Sequence, residues 1–363
     1  MKYKRLSECA YYRSERTTQI DYDTYISTEN MLPNKSGITT AETLPDLKST
    51  SKYLPNDILL SNIRPYFRKI WFSDRVGGCS NDVLVVTAKD NIIPKFLYYV
   101  LSDNNFFNYD TVTSKGTKMP RGTPKAIMQY LVPDVEKEYQ KKVVSILFAY
   151  DGLIDTNNKR IKALEQMAES LYKEWFVHFR FPGHETVEFE NGIPKGWEYQ
   201  NLNQVFDVRY GKDHKALDDG DIPVFGSGGV MRYGNKPLYD GESVLIPRKG
   251  SLNNIMYYSG AFWSVDTMFY TVMLKRYFAK YAYYTLSNYD MESYNSGAAL
   301  PSMTTDILYH LKMLVPDENT LKAFDEFVAD LFTQKETLIR NNNNLIKQRD
   351  LLLPRLMSGK LEV

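Results

Sequence analysis

Apolar residues recur along this chain with two different periods. Tyr139, Val143, Ile146, Tyr150, Leu153, Asn157, Ile161, Leu164, Ala168, Leu171 and Trp175 follow one another at spacings of four and three, the pattern of a helix that buries one stripe. Phe324, Val328, Leu331, Lys335, Leu338, Asn342, Ile346, Arg349, Leu353 and Leu356 keep the same register. The spacing predicts two helices of about 35 to 40 residues, roughly 55 to 60 Å long at 1.5 Å per residue. Pro354 is expected to bend or end the second. Elsewhere the apolar runs are short and punctuated by Gly, Pro and Asn. DILLSNI (57–63), KIWF (69–72), DVLVVT (82–87), SVLIP (243–247), NIMYYS (254–259) and MFYTVML (268–274) read as strands. Residues 94–109 and 276–289 read as helices whose Tyr and Phe pack on the sheets.

The chain also repeats itself once, at an offset of 181 to 185. FLYYVLS (96–102) meets YAYYTLS (281–287), YLVPD (130–134) meets MLVPD (313–317), and LIDTNNKRIK (153–162) meets LIRNNNNLIK (338–347). Ser80 and Asp82 meet Ser264 and Asp266, and Gly116 and Pro120 meet Gly297 and Pro301. Two copies are too few for a solenoid. Each is instead a compact mixed unit followed by a long helix, which divides the chain at 1–132, 133–179, 180–315 and 316–363. The fold class expected is α+β: two pseudo-repeated α/β domains separated by a pair of long antiparallel coiled-coil helices. Val143, Ile146, Leu153, Asn157, Ile161 and Leu164 of the first helix are then expected to pair with Val328, Leu331, Leu338, Asn342, Ile346 and Leu353 of the second. The two asparagines should meet where equivalent helices cross.

Composition narrows the class without deciding it. With 363 residues, 43% hydrophobic and 25% charged, the chain can bury real cores and is neither disordered nor collagen-like. No apolar run is long enough to span a membrane, and the opening MKYKRLSECAYYRSER turns polar too early for a signal peptide, so a cytoplasmic protein is expected. Cys9 and Cys79 show no paired spacing and read as ordinary thiols. The net charge of +1 conceals a basic excess in 1–132, with 18 basic against 13 acidic residues. Nucleic-acid binding therefore turns on local clusters.

Three clusters place Arg, Lys, Ser or Asn beside glycine, where a loop can approach phosphates and base edges closely. SKGTKMPRGTPK (114–125) offers Lys115, Lys118, Arg121 and Lys125, while its counterpart SGAALPSM (296–303) has no basic residue. RYGKDHK (209–215) offers Arg209, Lys212 and Lys215. RKGSLNN (248–254) offers Arg248, Lys249, Ser251 and Asn253. Ser227, Arg232 and Tyr233 lie in and after the GSGG turn, and Arg64 lies in IRPYFRK (63–69), where the first unit departs from the RKGS of the second.

Catalytic motifs are wanting. No Pro-Pro pair exists for the base-holding loop of an adenine methyltransferase, and a P-loop is missing. FGSGG (225–229) is followed too soon by glycine and proline to open a helix on a nucleotide. The Pro-Asp pairs at 45–46, 133–134 and 316–317 are not completed as nuclease metal sites, and His178, His184, His214 and His310 show no ligand spacing, so no metal site is expected.

ESLYKEWFVHFRFPG (169–183), LLLPRLMSGKLEV (351–363) and the series IPVFGSGGVMRYG, SVLIPRKGSLNN and AFWSVDTMFYTV between 222 and 272 resemble a type I restriction-modification specificity subunit along essentially the whole chain. The resemblance implies a non-catalytic protein with two target recognition domains, each reading one part of a split double-stranded DNA site. It further implies helices that dock two modification subunits carrying S-adenosylmethionine, and restriction/translocase subunits that use ATP. This chain would itself bind no cofactor. Two alternatives stay open at this level: a coiled-coil protein-interaction scaffold that does not bind DNA, and a fused DNA methyltransferase.

Overall fold

A computed structural model describes residues 2–297 and 301–361. The chain divides into two compact units, one formed by 1–158 with 340–363 and the other by 159–339. In the first unit a four-stranded antiparallel sheet is ordered Ala10–Tyr12, Val83–Ala88, Ile58–Ser61, Ile70–Phe72. The second unit begins its six-stranded sheet in the same order with Phe206–Tyr210, Met268–Met273, Tyr239–Pro247 and Met256–Ser264, then adds Asp219–Gly226 and Gly229–Gly234. The strand Met256–Ser264 runs unbroken, whereas its counterpart in the first unit is split into Ile70–Phe72 and Gly77–Cys79. Each unit also pairs an early strand with the strand that precedes its long helix, Lys2–Arg5 with Leu131–Asp134 and Glu198–Asn201 with Lys312–Val315. The internal repeat is thus a repeat of strand pairing as well as of sequence.

The aromatic helices cover these sheets as expected, with one difference. Residues 94–109 form two helices, Pro94–Ser102 and Asn104–Thr113, because Asp103 takes an extended conformation and accepts the Asn105 amide as an N-cap. In the second unit a single helix, Ala279–Ser287, does the same work.

Two helices dominate the rest, Lys137–Tyr172 of 36 residues and Glu318–Met357 of 40. Pro354 lies in the last turn of the second, which ends only three residues later. So near the terminus the ring removes one hydrogen bond without breaking the helix. Contacts between the two helices run antiparallel inside each unit. In the first, Tyr139 donates to the Leu356 carbonyl at 2.8 Å and Asp151 pairs with Arg349 at 2.8 Å. Asn157 Nδ2 donates to Asn342 Oδ1 at 2.8 Å, and Asn342 Nδ2 donates to Asn158 Oδ1 at 2.8 Å. In the second, Lys335 pairs with Glu165 at 2.9 Å and Trp175 lies against Phe324.

Two of the expected pairing residues face away from this seam. Leu153 is 54% exposed, while Ile154 is half-buried and Asp151 meets Arg349. Ile346 is 38% exposed, and Leu345 is the more covered of the two. In the first helix and the π-helical turn Lys173–Val177 that continues it, Leu147, Ile154, Ile161, Ala168 and Trp175 are covered at intervals of seven, which shifts the stripe by one residue from the spacing expected at Ile146 and Leu153. Val143, Ile146, Ile161, Leu164, Val328, Leu331, Leu338 and Leu353 are all at least half-buried. Both helices bury against their own unit's core too: Val143, Leu147, Leu353 and Leu356 join Leu60, Val86 and Phe96, and Tyr172, Trp175, Phe324 and Val328 join Val244, Ile246 and Phe269. Among the described residues no helix is long and apolar enough to cross a membrane.

Candidate nucleic-acid interface

In the first unit the strand Ile58–Ser61 delivers the chain to a loop that is stitched to a second one. Asn62 N–H donates to the Asp82 carbonyl at 2.8 Å, Arg64 N–H to the Pro120 carbonyl at 2.7 Å, and Gly122 N–H to the Asn62 carbonyl at 2.9 Å. Lys115 and Arg121 exchange backbone hydrogen bonds at 2.9 Å each way, closing 115–121 into a finger that turns through Gly116 at φ +95°. Lys115, Lys118, Arg121 and Lys125 all face solvent around this finger, with Arg121 also pairing with Asp82 at 3.1 Å. Arg64 is half-buried in a left-handed conformation at φ 49°.

The second unit builds the equivalent pair of loops from different residues. The strand Tyr239–Pro247 leads into Arg248, whose carbonyl accepts Met303 N–H at 2.9 Å, and Gly250 N–H donates to the Pro301 carbonyl at 3.1 Å. The repeated Ser-x-Asp turn underlies both sites. Asp82 supports Asn62 and Arg121 in one unit, and in the other the Asp266 carbonyl accepts Arg248 Nη1 at 3.1 Å while the Thr267 carbonyl accepts Arg248 N–H at 2.8 Å. IRPYFRK and RKGS therefore share the backbone hydrogen bonds that stitch the loops, but IRPYFRK goes on into a 3-10 helix at Pro65–Phe67 that the RKGS loop does not form.

That turn also gathers the other candidates of the second unit. Lys212 N–H donates to the Ser264 carbonyl at 2.8 Å and the Lys212 carbonyl accepts Trp263 Nε1 at 2.9 Å. A Cβ at Gly211 would run into the Val265 carbonyl, so only glycine allows this approach. Asn254 Nδ2 donates to the Ser227 carbonyl at 2.7 Å, tying the GSGG turn to the same place. Lys212, Ser227, Arg248, Lys249 and Ser251 are thereby brought together, with Arg248 lying 5.3 Å over the Tyr210 ring. Lys215 is exposed, with the Asp213 carboxylate 4.0 Å from its ammonium, and Tyr233 stands on the outermost strand, 49% exposed.

Besides Arg121 and Arg248, whose partners are given above, three more candidates are engaged within the fold. Arg209 pairs with Asp207 at 2.8 Å, Arg232 with Asp219 at 2.9 Å and the Leu217 carbonyl at 3.0 Å, and Asn253 with Asp290 at 3.2 Å. Their sequence neighbourhoods give no sign of these partners, except that Asp207 lies two residues from Arg209.

Sequence reasoning missed several residues at these sites. Tyr66 and Phe67 are 47% and 38% exposed beside Arg64. Beneath the first finger, Asp110 is fully buried with neither carboxylate oxygen hydrogen-bonded, and burial pushes its carboxyl up to about 7. A Cβ at Gly122 would lie 2.6 Å from Asp110 Oδ1 and 2.8 Å from Asn62 Oδ1, so the glycine lets the finger close over this polar pair. Part of the counterpart finger, 298–300, lies outside the described residues. Among the described residues no group of His, Cys, Asp and Glu could hold a metal ion.

The family model for the type I restriction modification DNA specificity domain matches twice, at 8–166 and 194–348. The chain is 23% identical over 311 residues to the type I restriction enzyme MjaIX specificity subunit of Methanocaldococcus jannaschii, covering 77% of this chain and 71% of that one. It is 21% identical over 431 residues to the HindI specificity subunit of Haemophilus influenzae, covering 93% and 94%. The crystal structure of a type I restriction-modification S subunit from M. genitalium superposes with a TM-score of 0.56 at 15% identity, covering 98% of this chain and 96% of that one. Two matched domains, the repeated strand order and the two-fold match of the loops place this chain in the type I restriction-modification DNA specificity family.

Proposed function

We propose that the chain is the DNA sequence-recognition subunit of a type I restriction-modification complex and reads a bipartite duplex through two recognition domains, 1–132 and 180–315. The observation that carries this reading is the doubled loop pair. Each unit presents basic side chains on a backbone-locked turn at the same place in the sheet, and phosphate contact from such a turn positions a protein on DNA while neighbouring donors reach base edges. Segments 133–179 and 316–363 dock two modification subunits, and exposed Phe148, Leu153, Phe327 and Leu351 give those helices apolar surface to offer. S-adenosylmethionine and ATP belong to the modification and the restriction/translocase subunits, and the complex acts in the cytoplasm. The chain itself is non-catalytic.

The test is adenine methylation of defined duplexes. The purified chain with S-adenosylmethionine should methylate nothing, and the chain with its modification subunits should methylate one bipartite sequence. Binding should weaken steeply with salt, since each phosphate neutralised releases counterions. Salt-independent association with no sequence preference would favour the scaffold, and methylation by the chain alone would favour the fused enzyme.

A further inference from the structure

Each unit holds one lysine in a position that its own helix disfavours. Lys95 and Lys280 are 185 residues apart and are each the second residue of a covering helix, Pro94–Ser102 or Ala279–Ser287. A cation there sits at the positive end of the helix dipole. Both lysines instead meet the long helix and the sheet at once.

In the second unit the joint is ionic. Lys280 is almost fully buried, and its ammonium pairs with Glu242 of the strand Tyr239–Pro247 at 2.7 Å and with Asp325 of the helix Glu318–Met357 at 2.9 Å. The Tyr257 hydroxyl donates to the same Glu242 carboxylate, and the ammonium lies 5.7 Å over the Tyr257 ring. Burial works against the charge, but the two carboxylates outweigh it and hold the ammonium above its ordinary value.

In the first unit the same joint is aromatic. The Lys95 ammonium lies 4.3 Å over Phe72, 4.6 Å over Tyr98, 5.5 Å over Tyr99 and 5.8 Å over Phe148 of the helix Lys137–Tyr172. Phe72 and Tyr257 are again 185 residues apart. Gln140 stands where the second copy has Asp325, and it is engaged elsewhere, accepting Ile93 N–H at 2.8 Å and donating to the Val135 carbonyl at 2.9 Å. The neighbouring Tyr99 hydroxyl reaches Asp151 of the same long helix at 2.6 Å.

We propose that Lys95 and Lys280 are positioning residues that fix the angle at which each recognition domain is carried on its long helix, and through that angle select the gap between the two DNA half-sites. The proposal rests on the split-target reading above. Apolar side chains alone let packed elements slide and repack, whereas an ammonium shared among three elements, almost fully buried at Lys280 and half-buried at Lys95, restricts their relative placement. The two copies reach that end by different chemistry, ion pairs in one and cation–π contacts in the other.

The experiment uses the complex with modification subunits on duplexes carrying the native gap, a gap one base pair shorter or longer, or a mutated half-site. Lys95→Met places a flexible apolar side chain among rings and leaves no carboxylate stranded, so it should fold. Lys280→Met strands Glu242 and Asp325, so its melting is followed in parallel and Lys280→Arg serves as the conservative rescue. Both Met variants should lower the preference for the native gap by about tenfold or more, as small misplacements do, with half-site preference unchanged and Lys280→Arg restoring the gap preference. Undiminished gap preference in Lys95→Met would overturn the positioning role and leave the split-target reading standing. If the wild-type complex showed no gap dependence at all, the split-target reading would fall and this proposal with it.

Discussion

Asp110 shows what a single buried group contributes to the loop that closes over it. Its carboxyl is raised from its ordinary value to about 7 by burial, so the folded state holds a proton that the unfolded chain releases near pH 4. The folded state binds more protons between those values, and stability must fall as pH rises from about 4 to about 7. Asp110→Asn removes the titration while keeping a polar group beside Asn62 Oδ1. Chemical denaturation at pH 8 should show the variant more stable by on the order of 2–4 kcal/mol, with the difference vanishing near pH 4. At the surface, Lys118→Ala, Arg121→Ala and Lys249→Ala should each weaken DNA binding, by about 1 kcal/mol for a phosphate contact and up to about 3 for a base contact. A phosphate contact also lowers the salt slope for every sequence, so titrations at several salt concentrations separate the two. Three unaltered affinities would move the interface elsewhere. The basic clusters were legible in the sequence because glycine beside Lys or Arg is a local signal. The commitments of Arg232 to Asp219 and of Asn253 to Asp290 were not, since only the folded loops bring those partners together.

At the scale of elements, the duplication made both long helices legible, and with them the meeting of Asn157 and Asn342. Around Leu153 the covered stripe lies one residue from the one the spacing predicts, because at 3.6 residues per turn Leu153 and Ile154 both fit the spacing. The choice falls to Ile154 through neighbours far away in sequence, with Asp151 drawn to Arg349 one turn earlier. The break at Asp103, by contrast, is marked locally: Ser102, Asp103, Asn104 and Asn105 are cap and loop residues, and the aromatic spacing across 94–109 hides that signal. The asparagine pair carries its own prediction. Asn342 is 6% exposed and holds both Asn157 and Asn158, so Asn157→Leu leaves it one hydrogen bond while adding apolar burial. Thermal melting should be unchanged or raised, and methylation should spread to duplexes whose gap differs from the native one, because a buried polar pair fixes register rather than adding stability. A lower melting temperature with unaltered gap preference would make the asparagines ordinary stabilising contacts.

For the whole molecule, the repeat of strand order with divergence at the loops is the arrangement expected of two readers that share a scaffold and differ in what they read. Each loop pair is closed by hydrogen bonds within its own unit, so neither reader depends on the other for its shape. Replacing 1–132 by the corresponding domain of another family member should therefore change one half of the methylated sequence and leave the other half and the gap intact. Lengthening both long helices by four residues, about 6 Å, should do the converse. Both half-sites should keep their sequences while the gap shifts by about one to two base pairs, at roughly 3.4 Å per base pair. Sequencing methylated adenines in cells that carry each chimera reads both outcomes at once. A domain exchange that altered both half-sites would show that the two units read DNA jointly, and a longer helix pair with the native gap would show that something other than the helices measures the distance.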